Sequence, residues 1–247
     1  MKKEEEIIKY RSLFVSDLHM GKTSSRHGSK PSVLPLLKFL QNKEFEYIYL
    51  LGDIFDIWEL ILNCKWDNSF NLFIEQILSM HRKGSKVFYM IGNHDDFFEK
   101  INGLDAGGIE FHEEIFHITA QDKKFLVSHG QKYDYLNKFS RLFRMMTYSS
   151  PKFISWFTYK MVEWTHTIAE KLGRRTREQS NEIFRDRIMK QCYKKDFDGV
   201  ICGHFHMPDI VTMKKGKIYI NTGDSCKNFT LVTENQKGNF KLHRLEQ

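Results

Sequence analysis

The chain has 247 residues, 41% hydrophobic and 28% charged, which excludes disordered and collagen-like classes and allows one large domain with its own core. Its four cysteines, Cys64, Cys192, Cys202 and Cys226, form no CxxC pair, so neither a disulfide scaffold nor a zinc ribbon is expected, and free thiols fit a reducing compartment. The net charge of +7 is concentrated: residues 135–195 hold 14 Lys/Arg against 5 Asp/Glu, which suggests an acidic partner such as a nucleic acid, an anionic membrane surface or a phosphorylated substrate.

The N-terminus, Met-Lys-Lys-Glu-Glu-Glu, has no signal-peptide core. The most apolar stretch, Tyr47 to Leu62, is broken by Asp53, Asp56 and Glu59 and cannot cross a membrane. A cytoplasmic chain is the expectation. In chain order, six short apolar runs read as strands: Leu13–Val15, Tyr47–Leu51, Val87–Ile91, Phe125–Val127, Val200–Cys202 and Ile218–Ile220. Ser32–Gln41 and Phe70–Arg82 read as helices between them. This alternation predicts a sheet covered on both faces.

Residues from about 135 to 195 read as a helical insertion between two core strands. Leu136, Phe139, Phe143 and Met146 recur at helical spacing, and a second stripe runs from Phe153 through Trp156 and Trp164 to Leu172. Pro151 separates the two. A third helix is expected over Arg177–Tyr193. Nine aromatics between Tyr135 and Trp164 alternate with Lys and Arg, a pattern suited to an anionic bilayer interface or to packing on the core. The expected organisation over 1–247 is thus a single domain carrying this insertion.

Each polar cluster of interest follows one of the strands. They are Ser16-Asp17-Leu18-His19, Gly52-Asp53-Ile54-Phe55-Asp56, Gly92-Asn93-His94-Asp95, Ser128-His129-Gly130 and Gly203-His204-Phe205-His206. Ligand sites in α/β sheets form beyond the carboxyl ends of strands. Carboxylate, imidazole and amide donors without a thiolate suit Mn²⁺, Fe or Zn²⁺. The seven candidates, Asp17, His19, Asp53, Asn93, His129, His204 and His206, exceed the needs of one ion, so a two-metal site able to clamp a phosphate is expected.

In this order the motifs resemble the calcineurin-like metallophosphoesterase superfamily. The resemblance implies an α+β fold, an α-β-β-α sandwich with two divalent metals at one edge. It places Asp17, His19, Asp53 and His206 on the first metal. Asp53, Asn93, His129 and His204 fall on the second, with Asp53 bridging. His94 takes the place of the residue that stabilises the transition state or protonates the leaving group, and Asp95 that of the carboxylate orienting it. Within the superfamily the chain is most similar to the UDP-2,3-diacylglucosamine diphosphatases of lipid A synthesis, on Gly52–Trp58, Gly92–Phe97, His129–Asp134 and Ile220–Asp224. It departs from them at His94, where the best-known members carry Arg, and at Gln131, where Asp is common. The resemblance implies attack by metal-activated water on the α-phosphate of a nucleotide-lipid, giving UMP and the lipid 1-phosphate, at the inner face of the membrane. Asn93, His94, Asp134, Asn181 and Arg185 are the candidate substrate contacts. The alternatives are a phosphoesterase or nuclease acting on nucleotides or nucleic acid, and a non-enzymatic metal-bound scaffold or membrane-binding module.

Overall fold

Along the first strand the buried side chains divide between two cores. Leu13 and Val15 pack toward helices, and Phe14 packs toward a second sheet. The alternation recurs at Ile48 and Leu50 against Tyr49, and at Val87 and Tyr89 against Phe88. In the second sheet Phe125, Val127, Ile201 and Ile220 face the first sheet, while Leu126, Val200, Cys202 and Tyr219 face a helix. Both faces of these strands are buried, which is why they read as continuous apolar runs.

The architecture comes from a computed structural model that describes residues 6–21, 32–63, 66–134, 177–225 and 228–246. The first sheet contains β1 (Ile8–Val15), β2 (Lys43–Leu50), β3 (Lys86–Met90), β4 (Ile109–His112), β10 (Thr230–Glu234) and β11 (Phe240–Arg244), in the order β11-β10-β1-β2-β3-β4. The second contains β5 (Glu114–Ile118), β6 (Lys124–Ser128), β7 (Gly199–Cys202), β8 (Asp209–Thr212) and β9 (Ile218–Asn221), in the order β5-β6-β7-β9-β8. Helices α1 (Leu34–Leu40) and α3 (Asn68–Arg82) contribute Leu36, Leu40, Phe70, Phe73, Ile77 and Met80 to the outer core of the first sheet. Asp67 caps α3 by accepting from the Ser69 amide at 2.8 Å. Helix α2 (Ile57–Asn63) follows the Gly52–Asp56 loop. Helix α4 (Arg177–Lys194) lays Phe184, Ile188, Met189 and Cys192 on the second sheet.

The layers are therefore helix, sheet, sheet, helix, as the sandwich expectation holds. The six expected strands are β1, β2, β3, β6, β7 and β9, which are parallel within their sheets. Their alternation with helices implied one sheet, and the structure corrects this to two. The run pattern is the same in both arrangements, because a strand between a helix and a sheet is as buried as one between two helices. The third insertion helix extends over Arg177–Lys194. The rest of the expected insertion, 135–176, lies outside the described residues. No helix among the described residues is long and apolar enough to cross a membrane.

Candidate metal centre

Because β1, β2 and β3 are parallel, and β6, β7 and β9 are parallel, both sheets present carboxyl ends at one edge. Asp17 and His19 follow β1, Asp53 follows β2, Asn93 and His94 follow β3, His129 follows β6, and His204 and His206 follow β7. The turns that deliver them are strained. Asp17, His19, Asp53, His204 and His206 have φ of 53°, 46°, 51°, 73° and 52°, a left-handed region that residues with a Cβ rarely adopt. Close approach is built in as well. A Cβ at Gly92 would collide with the Asp53 carboxylate, and one at Gly203 would lie 2.6 Å from Asp17 Oδ2.

Three groups of donor atoms converge here: Asp17, His19 and His206; Asp17, Asp53 and His129; and His19, Asp56 and His94. Within each group the ligand atoms lie within 4.8 Å of one another. His206 Nε2 is 3.2 Å from Asp17 Oδ1, and 3.4 Å from His19 Nε2. His129 Nδ1 donates to the Leu51 carbonyl at 2.7 Å, which aims Nε2 at Asp53 Oδ2, 3.3 Å away. Such an anchored imidazole presents its other nitrogen to a cation. The Asp53 carboxylate also accepts from the His94 amide at 2.7 Å. Asp17 Oδ2 accepts from Ser16 Oγ at 2.5 Å and from the His204 amide at 3.0 Å.

Burial alone would raise the Asp53 carboxyl, but the His129 and His94 rings overcome it and hold it well below the usual range. Burial opposes protonation of His129 and His206 too. Asp53 nevertheless lifts His129 to about 9, and Asp17 lifts His206 to about 10. These protons stand where cationic charge is wanted. His129 Nε2 and Asn93 Oδ1 are buried without a hydrogen bond among the described residues, as expected of donors meant for a metal. The donor set is oxygen and imidazole nitrogen, suited to Mn²⁺, Fe or Zn²⁺. Cys202 lies nearby, but burial pushes its thiol up to about 12, which leaves it protonated and outside the ligand set.

The expected ligands therefore meet at one edge, with differences in detail. Asp17, rather than Asp53, is common to the first two groups. His204 sits with its ring 5.2 Å from that of His129, and its Nε2 contacts Asp134 Oδ2 at 3.2 Å. The carboxylate facing His94 differs from the sequence expectation. It is Asp56, whose Oδ2 is 3.0 Å from His94 Nδ1 and 3.4 Å from His19 Nδ1. Asp95 instead accepts from Tyr89 Oη at 2.5 Å, the Gly92 amide at 2.6 Å and the Ile54 amide at 3.0 Å. Burial and the neighbouring Asp53 charge push its carboxyl up to about 7. Asp95 thus ties down the loop that carries Asn93 and His94. Asp224 was also absent from the expected set. It lies 3.5 Å from His206 Nδ1 and accepts from Asn228 Nδ2 at 2.6 Å. Its signal was the Thr222-Gly223-Asp224 turn after a buried strand. Asn181 and Arg185 lie on α4.

The calcineurin-like phosphoesterase family profile matches residues 10–208, most of the chain, a range that contains all seven candidate ligands. The chain belongs to the calcineurin-like phosphoesterases. It is a metal-dependent hydrolase of phosphoesters. Among curated proteins, this phosphoesterase is 22% identical over 242 residues to a UDP-2,3-diacylglucosamine hydrolase of Shewanella pealeana, covering 92% of this chain and 95% of that one. It is 30% identical over 126 residues to the Haemophilus influenzae protein of the same name, covering 48% of each. A solved archaeal phosphodiesterase aligns over 95% of this chain and 99% of its own, at 14% identity and a TM-score of 0.44.

Proposed function

We propose that this phosphoesterase hydrolyses the diphosphate of UDP-2,3-diacylglucosamine to UMP and the lipid 1-phosphate. The observation that carries the reading is the convergence on Asp17 of two nitrogen–oxygen donor groups, with the partly exposed His94 ring beside them. The full-length likeness to a UDP-2,3-diacylglucosamine hydrolase supports the choice of substrate. Asp17, His19, Asp53 and His206 would hold one divalent cation, and Asp53, Asn93, His129 and His204 the other, with Mn²⁺ the first choice. When bound, the cations supply charge to the phosphoryl oxygens and acidity to water.

The remaining work falls to the chain. Asp56 lies against His94 Nδ1, and the partly exposed His94 ring is the group that would give a proton to the departing oxygen. Asp95 acts as a positioning residue: through Tyr89, Gly92 and Ile54 it fixes the loop from which Asn93 and His94 project. Asp134, Asn181 and Arg185 are the further substrate contacts in this reading. The domain is single over 1–247, and the aromatic and basic segment within 135–195 rests on the inner face of the membrane, where the lipid substrate resides.

The test is UMP release from UDP-2,3-diacylglucosamine in Mn²⁺, followed by mass spectrometry, with His129→Ala as control. Release that requires His129 supports the proposal. No release, together with ready cleavage of an aryl phosphodiester, would keep the metal centre and move the substrate to nucleotides or nucleic acid.

A further inference from the structure

His206 is the most exposed ligand of the first donor group: its side chain is 26% exposed, against 3% for His19 and 0% for Asp17. Its backbone sits at φ 52°, a conformation that the surrounding structure must enforce. It lies between β7, which ends at Cys202, and β8, which begins at Asp209. The ring therefore has to be held from outside its own loop.

The connection from β9 to β10 supplies that hold. The buried Asp224 places Oδ2 3.5 Å from His206 Nδ1, while Asp17 Oδ1 is 3.2 Å from Nε2. Asn228 fastens both partners: its Nδ2 donates to the His206 carbonyl at 2.7 Å and to Asp224 Oδ2 at 2.6 Å. Its backbone amide donates to Asp224 Oδ1 at 3.2 Å. The Asp224 carbonyl accepts from the Thr230 amide at 3.0 Å, which ties the residue to the start of β10. The same connection grips Asp17, since the Ser225 amide donates to the Asp17 carbonyl at 3.2 Å and Ser16 Oγ lies 3.1 Å from the Gly223 carbonyl. A carboxylate beside Nδ1 keeps the ring hydrogen there and leaves the Nε2 lone pair for a cation.

We propose that Asp224, held by Asn228, is a positioning residue that fixes His206 Nε2 toward the first cation, so that the β9–β10 connection sets the affinity of one of the two cation positions and not of the other. The inference rests on the two-metal reading and deepens it. The contrast between the positions follows from their anchors. His129, in the other group, is held by a backbone partner, the Leu51 carbonyl at 2.7 Å, so a substitution at Asp224 leaves its anchor in place.

The test is titration of metal-free enzyme with Mn²⁺, without substrate, with the free ion followed by its electron paramagnetic resonance signal. The wild type is expected to bind two ions. Asp224→Asn should weaken one of them by about 10- to 100-fold and leave the other unchanged. Asn228→Ala should weaken the same ion by a smaller factor, and it carries the test if Asp224→Asn does not fold. His206→Ala identifies that ion, and in its background Asp224→Asn should add no further loss. A merely structural Asp224 would weaken both ions together, or add its loss to that of His206→Ala, and either result overturns the proposal. So do wild-type affinities for both ions in Asp224→Asn and Asn228→Ala. A wild type that binds fewer than two Mn²⁺ removes the two-metal reading and the proposal with it. The selective loss in an enzyme that leaves the nucleotide-lipid intact supports the proposal and sinks only the choice of substrate.

Discussion

Asp56 is buried and lies against two rings, His94 at 3.0 Å and His19 at 3.4 Å. Burial would raise its carboxyl, but the His94 and His19 rings hold it far below the usual range, so it stays ionised. A fixed anion there orients His94. Asp56→Asn is therefore expected to lower kcat by about 10- to 100-fold. His94→Gln should lower it by about 10²- to 10⁴-fold. If Asp56 acts through His94, the double variant is no slower than His94→Gln alone; multiplying losses would show that Asp56 works elsewhere. The residues that gather at this edge were legible in the sequence, since Asp, Asn and His recur where apolar runs end. The pairing of rings with carboxylates was not. Asp95 adjoins His94 in sequence, yet its side chain turns back to Tyr89 and Gly92, and no spacing rule reveals that.

The elements divide by burial. β1, β2, β3, β6, β7 and β9 were legible because their cores are apolar on both faces. β4, β5, β8 and β11 mix half-buried and exposed positions over four or five residues, with Phe111 and His117 the two buried ones, too short a pattern to stand out. β10 is buried throughout but polar, and its Glu234 accepts from Ser12 Oγ at 2.8 Å and pairs with His117 at 2.7 Å. The polar partners are distant in sequence, so the strand does not announce itself. The turn after β7 depends on a missing side chain. A Cβ on the buried Gly203 would crowd Ser16 and Asp17, and Ser16 Oγ is fixed by hydrogen bonds to both Asp17 Oδ2 and Thr222 Oγ1. Gly203→Ala is expected to cost about 1–3 kcal/mol of stability through overpacking. By displacing Asp17 it should also reduce metal retention after dialysis, measured by elemental analysis. Wild-type metal content with an unchanged melting curve would show that the turn gives way freely.

At the scale of the molecule, one sheet and two sheets share the same apolar pattern, so the sandwich had to come from motif resemblance rather than periodicity. Proton binding couples to the whole fold at His243, a β11 residue whose ring packs against α1, β1 and β10. Burial, with Lys241 and Lys43 adding to it, pushes His243 down to about 4, while Thr233 Oγ1 lies 2.8 Å from its Nε2 and the Phe39 and Tyr10 rings pack on it. Between the unfolded value near 6.5 and about 4, the unfolded chain holds a proton that the folded chain lacks. Stability from this group is present above pH 6.5 and falls as pH drops through that window, by about 1 kcal/mol for a half-buried ring. In urea melts from pH 7 to 4, His243→Phe should show a shallower decline than the wild type; parallel curves would remove His243 from the account. The metal centre makes a larger global contribution. Asp17, Asp53, Asp56, Asp95 and Asp224 are buried together near one edge, and their repulsion is relieved by nearby histidines or by cations. A divalent ion that binds only the folded state adds about 2.7 kcal/mol at one hundred times its Kd. For a chain of this size that corresponds to a rise in melting temperature of roughly 5–10 °C. Chelator-treated protein should therefore melt lower, and titration with Mn²⁺ should restore the transition in proportion to the logarithm of metal concentration. Asp17→Asn, which weakens both groups that share Asp17, should flatten that dependence. Melting curves that ignore the metal would mean that these carboxylates and rings form a structural network rather than a cation site.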